Sequence, residues 1–427
     1  MHDLRMVRDQ VDALREGMRR RGKLDQFAPV IDEAEALDRE RRAAITAVEE
    51  KKAQRNVLTQ EVGRLKKAMA DAEAPMAAAR ALGDEIVALE ARLAPTEARL
   101  TELLLDIPNI PLADVPAGDE SHNRIVREWG TPRAEGSAKP HWEVGATLGL
   151  LDLERGAKVA GSGFVVYRGA GARLLRALAN AMLDLHTGEF GYEELWVPTL
   201  VNRATMTGTG QLPKFEDDMY GVKDDDLFLI PTAEVPITNL YREEILAASD
   251  LPRGFTAMSA CFRREAGSAG KDTRGVLRVH EFHKVELVRY CEPEQGEAEL
   301  ERLVGHAEAV LQRLELPYRV VLLAAGDTGF SSAKTYDLEV FSPGVGAWLE
   351  VSSCSVCTDF QARRANIRYR PEGGGKPRFV CTLNGSGLAF PRVFAALLEH
   401  HQRPDGSVAL PAFLRPWMGR DVIDVAR

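Results

Sequence analysis

The chain has 427 residues, 45% of them hydrophobic and 28% charged, and carries a formal net charge of −9. This length predicts two or three domains with a sizeable core, and the negative total argues against non-specific binding of nucleic acid over the whole surface. No apolar run reaches the roughly 18 to 20 residues of a membrane helix, and the charged start MHDLRMVRDQ lacks the apolar region of a secretory signal, so we expect a cytoplasmic protein without a membrane partner.

Residues 1–108 are predicted to form a helical domain with a projecting arm. In the segment 82–103, leucine and isoleucine recur at spacings of three and four, which is a heptad pattern. The segment 33–65 carries a looser version of it, and Pro75 between the two is expected to interrupt the helix. Two such helices predict an antiparallel coiled-coil hairpin, in which roughly 30 residues extend about 45 Å.

The distal part of this arm is basic. Its cations are Lys51, Lys52, Arg55, Arg64, Lys66 and Lys67, and Glu61 is the acid among them in that segment. One interpretation is a solvated coiled-coil face. The other is a surface that lies on a phosphate backbone, which would give a negatively charged protein one local site for nucleic acid.

Residues 109–427 are predicted to form a mixed domain, entered through the proline-rich connector LLLDIPNIPLADVPAGDES. In chain order we expect an amphipathic helix over 173–187, a strand from Gly191 to near Pro198, and a helix, a break and a strand in VLQRLELPYRVVLLAAGD. Further strands are predicted in AKTYDLEVFSP, AWLEVSSCS and RFVCTLNG, and the segment 387–401 is predicted to be helical after a glycine turn. Long antiparallel strands with few crossovers predict an α+β domain, with a mixed, mainly antiparallel sheet flanked by helices.

The segment 261–287 predicts a β-hairpin with one polar face. Because alternate residues of a strand share a face, its polar side chains point one way and Val285 and Leu287 point towards a core. The side chains on this face are Arg263, Glu265, Arg278, His280, Phe282, Lys284 and Glu286. A charged face with one aromatic ring favours a pocket for a ligand with a flat ring over a face exposed to water. The glycine-rich loop EAGSAGKDTRG would then contact the substrate or cover it.

Three other segments offer matching chemistry, although each is weak alone and a structural hydroxyl is the alternative. Thr232 and Glu234 follow a strand and could bind an ammonium and a small polar group. Glu350, Ser352 and Ser353 lie on a predicted strand and offer hard oxygen ligands suited to Mg²⁺. Arg392 follows Gly385 and Gly387 in the first turns of the last predicted helix.

Structural zinc is not expected. Cys354 and Cys357 form one C-x-x-C among five cysteines, and no second pair or correctly spaced histidines accompany them. Phosphate-binding GxxxxGK[ST] and dinucleotide-binding GxGxxG patterns are also missing from their expected contexts.

Taken together, these segments resemble the class II aminoacyl-tRNA synthetases, and within them the seryl-tRNA synthetases of bacterial type. FRREAG…RVHEFHKVEL is similar to the family's motif 2 and NGSGLAFPR to its motif 3, while the segment ending at Pro198 resembles motif 1, which builds a dimer interface. TAE, EVSSC and the N-terminal arm are the seryl-specific features. Phe390 and Pro391 precede Arg392 where many relatives carry glycine; because proline suits an early helical position, we expect a changed turn with the arginine retained.

The resemblance implies ATP-dependent activation of L-serine to seryl-adenylate. It further implies transfer of the seryl group to serine tRNA and, where present, selenocysteine tRNA. The implied serine-binding residues are Thr232, Ala233, Glu234, Glu286 and Ser386. The implied ATP-binding residues are Arg263, Arg264, Glu265, Val279, Phe282, Glu350, Val351, Ser352, Ser353 and Arg392; among them Arg263, Glu265 and Arg392 are the catalytic residues, and Glu350 and Ser353 hold Mg²⁺.

The resemblance also assigns the arm to tRNA binding and predicts a homodimer. Two alternatives remain. A synthetase-like ligase that charges a carrier protein would keep motifs 2 and 3 and lose the arm. A coiled-coil interaction protein with a decayed catalytic domain would lose Arg263, Glu350 or Arg392, and all three are present.

Overall fold

The computed structural model describes residues 1–266 and 274–424. The chain folds as two compact units, one of residues 1–19 and 23–108 and the other of residues 20–22 and 109–427. Residues 267–273, the centre of the loop predicted to contact substrate, lie outside the described residues. None of the described helices has the length and apolar character needed to cross a membrane.

The first unit is helical and contains the predicted antiparallel pair. Its helices are α1 (Leu4–Asp9), α2 (Val11–Arg20), α3 (Leu24–Lys67) and α4 (Glu73–Asp106). At 1.5 Å per residue, the 44 residues of α3 span about 66 Å. The two long helices are longer than expected, and Pro75 does not interrupt a helix: it lies in the first turn of α4, where no N–H is needed for the helical ladder.

Apolar contacts and ion pairs hold α3 against α4. Val48 and Ile86 are buried in the seam. Arg41 Nε lies 2.8 Å from Glu97 Oε1, and Arg99 Nε lies 2.7 Å from Glu33 Oε1. As the residue number rises along α3, the number of its partner on α4 falls. The two helices therefore pack in the predicted antiparallel arrangement.

The second unit is built on a mixed sheet with helices packed against it. Its helices are α5 (His141–Thr147), α6 (Leu153–Ala160), α7 (Ala170–Gly188), α8 (Arg203–Thr209), α9 (Glu234–Thr238), α10 (Gly296–Arg313), α11 (Phe360–Ala365), α12 (Phe390–His400) and α13 (Arg415–Met418). Its strands are β1 (Arg124–Trp129), β2 (Leu151–Asp152), β3 (Val166–Tyr167), β4 (Glu193–Glu194), β5 (Leu200–Asn202), β6 (Leu227–Leu229), β7 (Ile245–Ala247), β8 (Arg253–Phe262), β9 (Glu281–Cys291), β10 (Tyr318–Leu322), β11 (Lys334–Ser342), β12 (Ala347–Thr358), β13 (Arg368–Arg370), β14 (Arg378–Phe379), β15 (Cys381–Ala389), β16 (Val408–Ala409) and β17 (Val422–Ile423).

The largest sheet among the described residues has the strand order β1-β10-β11-β12-β15-β9-β8-β4. Neighbouring strands are antiparallel, except that β4 pairs with β8 in parallel. The main core joins apolar side chains of α7, α10 and α12 to those of the sheet. The predicted fold class, an antiparallel helical arm followed by a mainly antiparallel mixed sheet with flanking helices, is confirmed.

The predicted hairpin is formed by β8 and β9, with Cys261 opposite Phe282. Val285 and Leu287 are fully buried in the main core, as the alternation predicts. The limbs are shorter than expected, because β8 ends at Phe262 and β9 begins at Glu281. Arg263 and Glu265 therefore follow β8 rather than belong to it, and Glu265 has a φ of +54° that ends the extended conformation.

Two other segments differ from the sequence prediction. The strand expected up to Pro198 pairs only over Glu193–Glu194, at the edge of the sheet. In the segment 387–401 the helix begins at Phe390, because β15 runs through both glycines to Ala389, with an irregular register after Ser386. Pro391 lies in the first turn of α12, and Arg392 is retained in that turn as expected.

Candidate active site

A cavity of about 250 Å³ opens between the β8–β9 hairpin, strands β12 and β15 and the start of α12. It is lined by Thr232, Glu234, Arg263, Glu265, Val276, Leu277, Arg278, Val279, Phe282, Lys284, Glu350, Ser353, Asn384, Ser386, Ala389, Pro391 and Arg392. Ten of these residues are among those expected from the sequence. The structure therefore brings together segments that are up to 160 residues apart in the chain.

One wall of the cavity is formed by Arg263 and Phe282. The Arg263 Cζ atom lies 5.2 Å from the centroid of the Phe282 ring, within the range of a cation–π contact. The Arg263 backbone N–H donates to His280 O at 2.9 Å, and its Nε donates to Pro231 O at 3.4 Å. These contacts hold the guanidinium at the mouth of the hairpin, where it can meet an anion.

A second part of the cavity lining is formed by Arg392, from the first turn of α12. Its Nη1 donates to Glu350 O at 2.7 Å and lies 3.3 Å from Glu350 Oε2, while its Nε donates to Leu277 O at 3.3 Å. A second ion pair joins Arg278 to Glu265. The cavity thus presents three guanidinium groups, a number suited to a polyanionic ligand.

Acidic and hydroxyl groups lie beside Glu350. Ser353 lines the cavity, and its partner across the β11–β12 ladder is Asp337. Burial, and then the nearby Glu350 carboxylate, raise the pKa of Asp337 well above its usual value. Asp337 Oδ1 is buried and has no hydrogen-bond partner within the part of the chain that the structure describes.

A partly buried carboxylate, Glu234, closes the deep end of the cavity. Its Oε1 accepts from Gln361 Nε2 at 2.7 Å and its Oε2 accepts from Asn384 Nδ2 at 3.2 Å. Burial, and then the negative charge of Glu286, raise the pKa of Glu234 to about 7. Glu234 therefore favours any ligand that brings a positive charge to it.

Next to Glu234, a buried ion pair joins Lys284 and Glu286 of β9. Thr232 Oγ1 donates to Glu286 Oε2 at 3.1 Å and accepts from Lys284 Nζ at 3.0 Å. Glu286 is fully buried, and its Oε1 has no hydrogen-bond partner among the described residues. Glu286 is not itself among the residues that line the cavity, although its neighbours Thr232 and Lys284 are.

The remaining sequence-predicted residues lie outside the lining of the cavity. Ala233 and Val351 are buried in hydrophobic clusters, and Ser352 Oγ is buried and donates to Ser386 O at 2.6 Å. Arg264 Nη1 donates to Asp217 O at 2.8 Å on the exposed side of the hairpin. A ligand in the cavity could therefore contact Ala233, Val351 and Ser352 only through their backbone atoms. It could contact the Arg264 side chain only in another rotamer.

The sequence predicts no specific ligand contact for Lys284, Asn384, Gln361 and Asp337. Strand alternation places Lys284 on the same face as Phe282 and Glu286, and Asn384 on the same face as Ser386. Strand alternation could therefore have identified both Lys284 and Asn384 as residues of the site. Gln361 lies on α11 and Asp337 on a different strand from Glu350, so only the tertiary structure brings them to the site.

Two basic residues of the arm meet acids of the facing helix, and a third meets an acid of its own helix. Lys51 pairs with Glu85, and Lys52 Nζ lies 3.1 Å from Glu90 Oε1. Arg64 Nη2 lies 3.8 Å from Glu61 Oε1. Counting charge along α3 alone missed the acids of α4. The less neutralised cations are Arg55, Lys66 and Lys67, towards the end of α3.

Comparison with known proteins gives consistent matches along the chain. The family description "Seryl-tRNA synthetase N-terminal domain" matches residues 1–111, and "tRNA synthetase class II core domain (G, H, P, S and T)" matches residues 214–401. The chain is 66% identical to a protein of Gemmatimonas aurantiaca named serine--tRNA ligase, covering 99% of this chain and 100% of the relative.

Solved structures agree with this match. The seryl-tRNA synthetase of Pyrococcus horikoshii complexed with ATP has a TM-score of 0.95 and 36% identity, with all of both chains covered. The cytoplasmic serine-tRNA ligase of Naegleria fowleri in complex with AMP has a TM-score of 0.90 and 28% identity, covering 100% of this chain and 99% of the other. The chain belongs to the seryl-tRNA synthetases, a family of class II aminoacyl-tRNA synthetases.

Proposed function

We propose that the protein activates L-serine with ATP to form seryl-adenylate and transfers the seryl group to the 3′ end of serine tRNA. The observation that carries this proposal is the cavity that joins a partly buried carboxylate, Glu234, to the guanidinium groups of Arg263 and Arg392. The ammonium group of an amino acid would bind the Glu234 carboxylate, and the phosphates of a nucleoside triphosphate would bind the guanidinium groups of Arg263 and Arg392. The two alternatives from the sequence are not favoured by any observed contact.

The deep end of the cavity is proposed to bind serine. The ammonium group would lie between Glu234 and Thr232, with the backbone of Ala233 beside them. The serine hydroxyl would donate to Glu286, whose Oε1 has no hydrogen-bond partner among the described residues, and would meet Ser386. Alanine leaves these groups unpaired, which discriminates against it by up to about 10⁴-fold.

The outer part is proposed to bind ATP. Phe282 and Arg392 would stack on the two faces of adenine, and Val279 would contact the base through its backbone. Arg263 would hold the α-phosphate beside the serine carboxylate, and Glu265 would contact the nucleotide. Contacts from Arg264, Val351 and Ser352 would complete this part of the site.

The donor set fits a Mg²⁺ ion. Glu350 offers a half-exposed carboxylate, Ser353 a hydroxyl, and Asp337 Oδ1 is a buried oxygen without a hydrogen-bond partner among the described residues. No group of three or more His, Cys, Asp or Glu side chains in the described ranges could hold a metal by itself, and Mg²⁺ bound with a nucleotide uses one or two carboxylates and takes its other ligands from phosphates and water. Glu350 and Ser353 would hold the ion, which would neutralise phosphate charge.

The chemistry requires positioning and no protein nucleophile. The serine carboxylate attacks the α-phosphorus, the bond to the bridging oxygen breaks, and pyrophosphate leaves. The guanidinium of Arg263 stabilises the charge on the α-phosphoryl oxygens, and its planar fork can contact two oxygens at once. A ribose hydroxyl of the tRNA then attacks the seryl carbonyl and AMP leaves.

The proposed partners are serine tRNA and a second copy of the chain. Arg55, Lys66 and Lys67 would contact the tRNA backbone, with smaller contributions from Lys51, Lys52 and Arg64 because acids partly neutralise them. Trp196, which is 87% exposed beside β4, would be covered in the dimer. The proposed place of action is the cytoplasm, where charged tRNA is used.

Serine-dependent exchange of pyrophosphate into ATP, followed by charging of purified serine tRNA, tests this function. We expect both activities in the wild-type protein, and loss of exchange in Arg263→Ala with the fold retained. Exchange without charging would instead favour a carrier-protein ligase, and absence of both would favour an inactive scaffold. Near-normal exchange in Arg263→Ala would contradict the role of that residue.

A further inference from the structure

A buried histidine touches the chain segment that borders the cavity. His141 is the first residue of α5 and is fully buried. Its ring Nδ1 lies 2.9 Å from Glu399 Oε1, and its backbone N–H donates to the same oxygen at 2.9 Å. The ring packs edge-on against Trp142, with 4.9 Å between centroids. Neither His141 nor Glu399 lines the cavity.

Glu399, on α12, is held as an acceptor. Its second oxygen accepts from Ser342 Oγ and from Gly344 N–H, the latter at 3.0 Å. Burial opposes ionisation, yet the hydrogen bonds from His141, Ser342 and Gly344 bring the pKa of Glu399 below its usual value. Because a carboxylate only accepts hydrogen bonds, the proton shared with His141 belongs on Nδ1.

This arrangement leaves the other ring nitrogen of His141 as an acceptor. The Val276 N–H donates to His141 Nε2 at 3.2 Å. The backbone before Val276 also lies close to the His141 ring. Gly275 has a φ of +65°, and a Cβ added there would lie 2.1 Å from Nε2. Only glycine allows the ring to approach the backbone in this way.

The bonded segment forms part of the proposed ATP site. Val276, Leu277 and Val279 line the cavity, and the carbonyl of Leu277 accepts from Arg392 Nε at 3.3 Å. A continuous set of contacts therefore runs from Glu399 through His141 and the segment 275–277 to Arg392. Because α12 carries both Glu399 and Arg392, one helix fixes this segment at two points.

We propose that His141 and Glu399 are positioning residues for ATP, which hold the segment 275–279 against the cavity through the bond from the Val276 N–H to the His141 ring. This inference rests on the proposed function, because ATP is assigned to the cavity there. Serine, which is assigned to the deep end beside Glu234, does not contact this segment. Loss of the bond therefore weakens ATP binding selectively.

Two substitutions separate the two hydrogen bonds of the ring. In His141→Asn, the amide nitrogen replaces Nδ1 and keeps the contact with Glu399, but the side chain is too short to reach Val276. In His141→Gln, the amide oxygen reaches the position of Nε2 and can accept from Val276. Gly275→Ala should reproduce the effect of His141→Asn by displacing the ring. His400→Asn is the matched control, because the ring of that histidine also bonds a backbone group through Nε2, the carbonyl of Phe341 at 2.7 Å, away from the cavity lining.

The full-length variants are compared by hydrogen–deuterium exchange and by serine-dependent pyrophosphate exchange. For His141→Asn we expect faster exchange of the peptide that contains Val276 and a KM for ATP raised about tenfold, with the KM for serine changed less than about twofold. His141→Gln should restore most of both properties, and His400→Asn should change neither.

An unchanged Val276 peptide or an unchanged KM for ATP in His141→Asn would overturn the inference, as would equal increases in both KM values. Hydrogen exchange needs no catalysis. Absence of serine-dependent activity in the wild-type protein would therefore refute the proposed function, while the change in the Val276 peptide, with and without ATP, would still decide whether His141 holds the segment.

Discussion

Lowering the pH from 8 to 6 is expected to weaken serine binding about tenfold through protonation of Glu234. Burial, together with the nearby Glu286, raises the pKa of this carboxyl to about 7, so that about nine-tenths of it is ionised at pH 8 and about one-tenth at pH 6. The ammonium group of serine binds the ionised form. The apparent dissociation constant therefore rises about tenfold as pH falls over this range. This corresponds to a loss of about 1.4 kcal/mol of binding free energy.

Calorimetric titration of serine between pH 6 and pH 8 measures this dependence directly. Glu234→Gln is the control, because its side chain keeps nearly the same shape and does not titrate; it should bind serine weakly and with less than about twofold variation across the range. A wild-type dissociation constant that is flat with pH would refute the reasoning, and so would the same pH dependence in Glu234→Gln.

Three further predictions concern the buried pair, the arm and the dimer. Lys284→Met should reduce the free energy of unfolding by about 3 to 5 kcal/mol in chemical denaturation, because Glu286 stays buried without its cation; full stability in this variant would contradict the structural importance of the pair. Deletion of residues 33–96 should leave pyrophosphate exchange intact and abolish tRNA charging, and charging by the shortened protein would rule out the proposed role of the arm. Trp196→Glu should shift the protein from dimer to monomer in analytical ultracentrifugation, because an 87% exposed indole is expected to be covered in the dimer, whereas an unchanged sedimentation coefficient would place the interface elsewhere.

Local patterns predicted the elements that carry most of the site. The alternation in 281–291 correctly assigned Val285 and Leu287 to the core and Phe282 to the cavity. The heptad spacing of the arm identified the antiparallel pair, although not its full length. The effect of Pro75 differs from the prediction: it lies in the first turn of α4 and interrupts no helix, because the first turn needs no N–H at that position.

The charge of the arm cannot be predicted from the sequence of one helix alone. Lys51 and Lys52 form part of a basic run along α3, yet they lie against Glu85 and Glu90 of α4. These acids are more than 30 residues away in the sequence. A count of charges along one helix therefore overstates the positive field that a phosphate backbone would meet.

The sequence by itself determined which residue types the site contains and which strands and helices carry them, because periodicity and motif spacing act over short stretches of chain. Only the tertiary structure decided how those groups affect each other. Gln361 and Asn384 meet Glu234 across different elements, and His141 reaches Val276 from 135 residues away. The pKa of Glu234 and the position of the segment beside Arg392 depend on burial and on distances between atoms, and no local pattern in a chain encodes those.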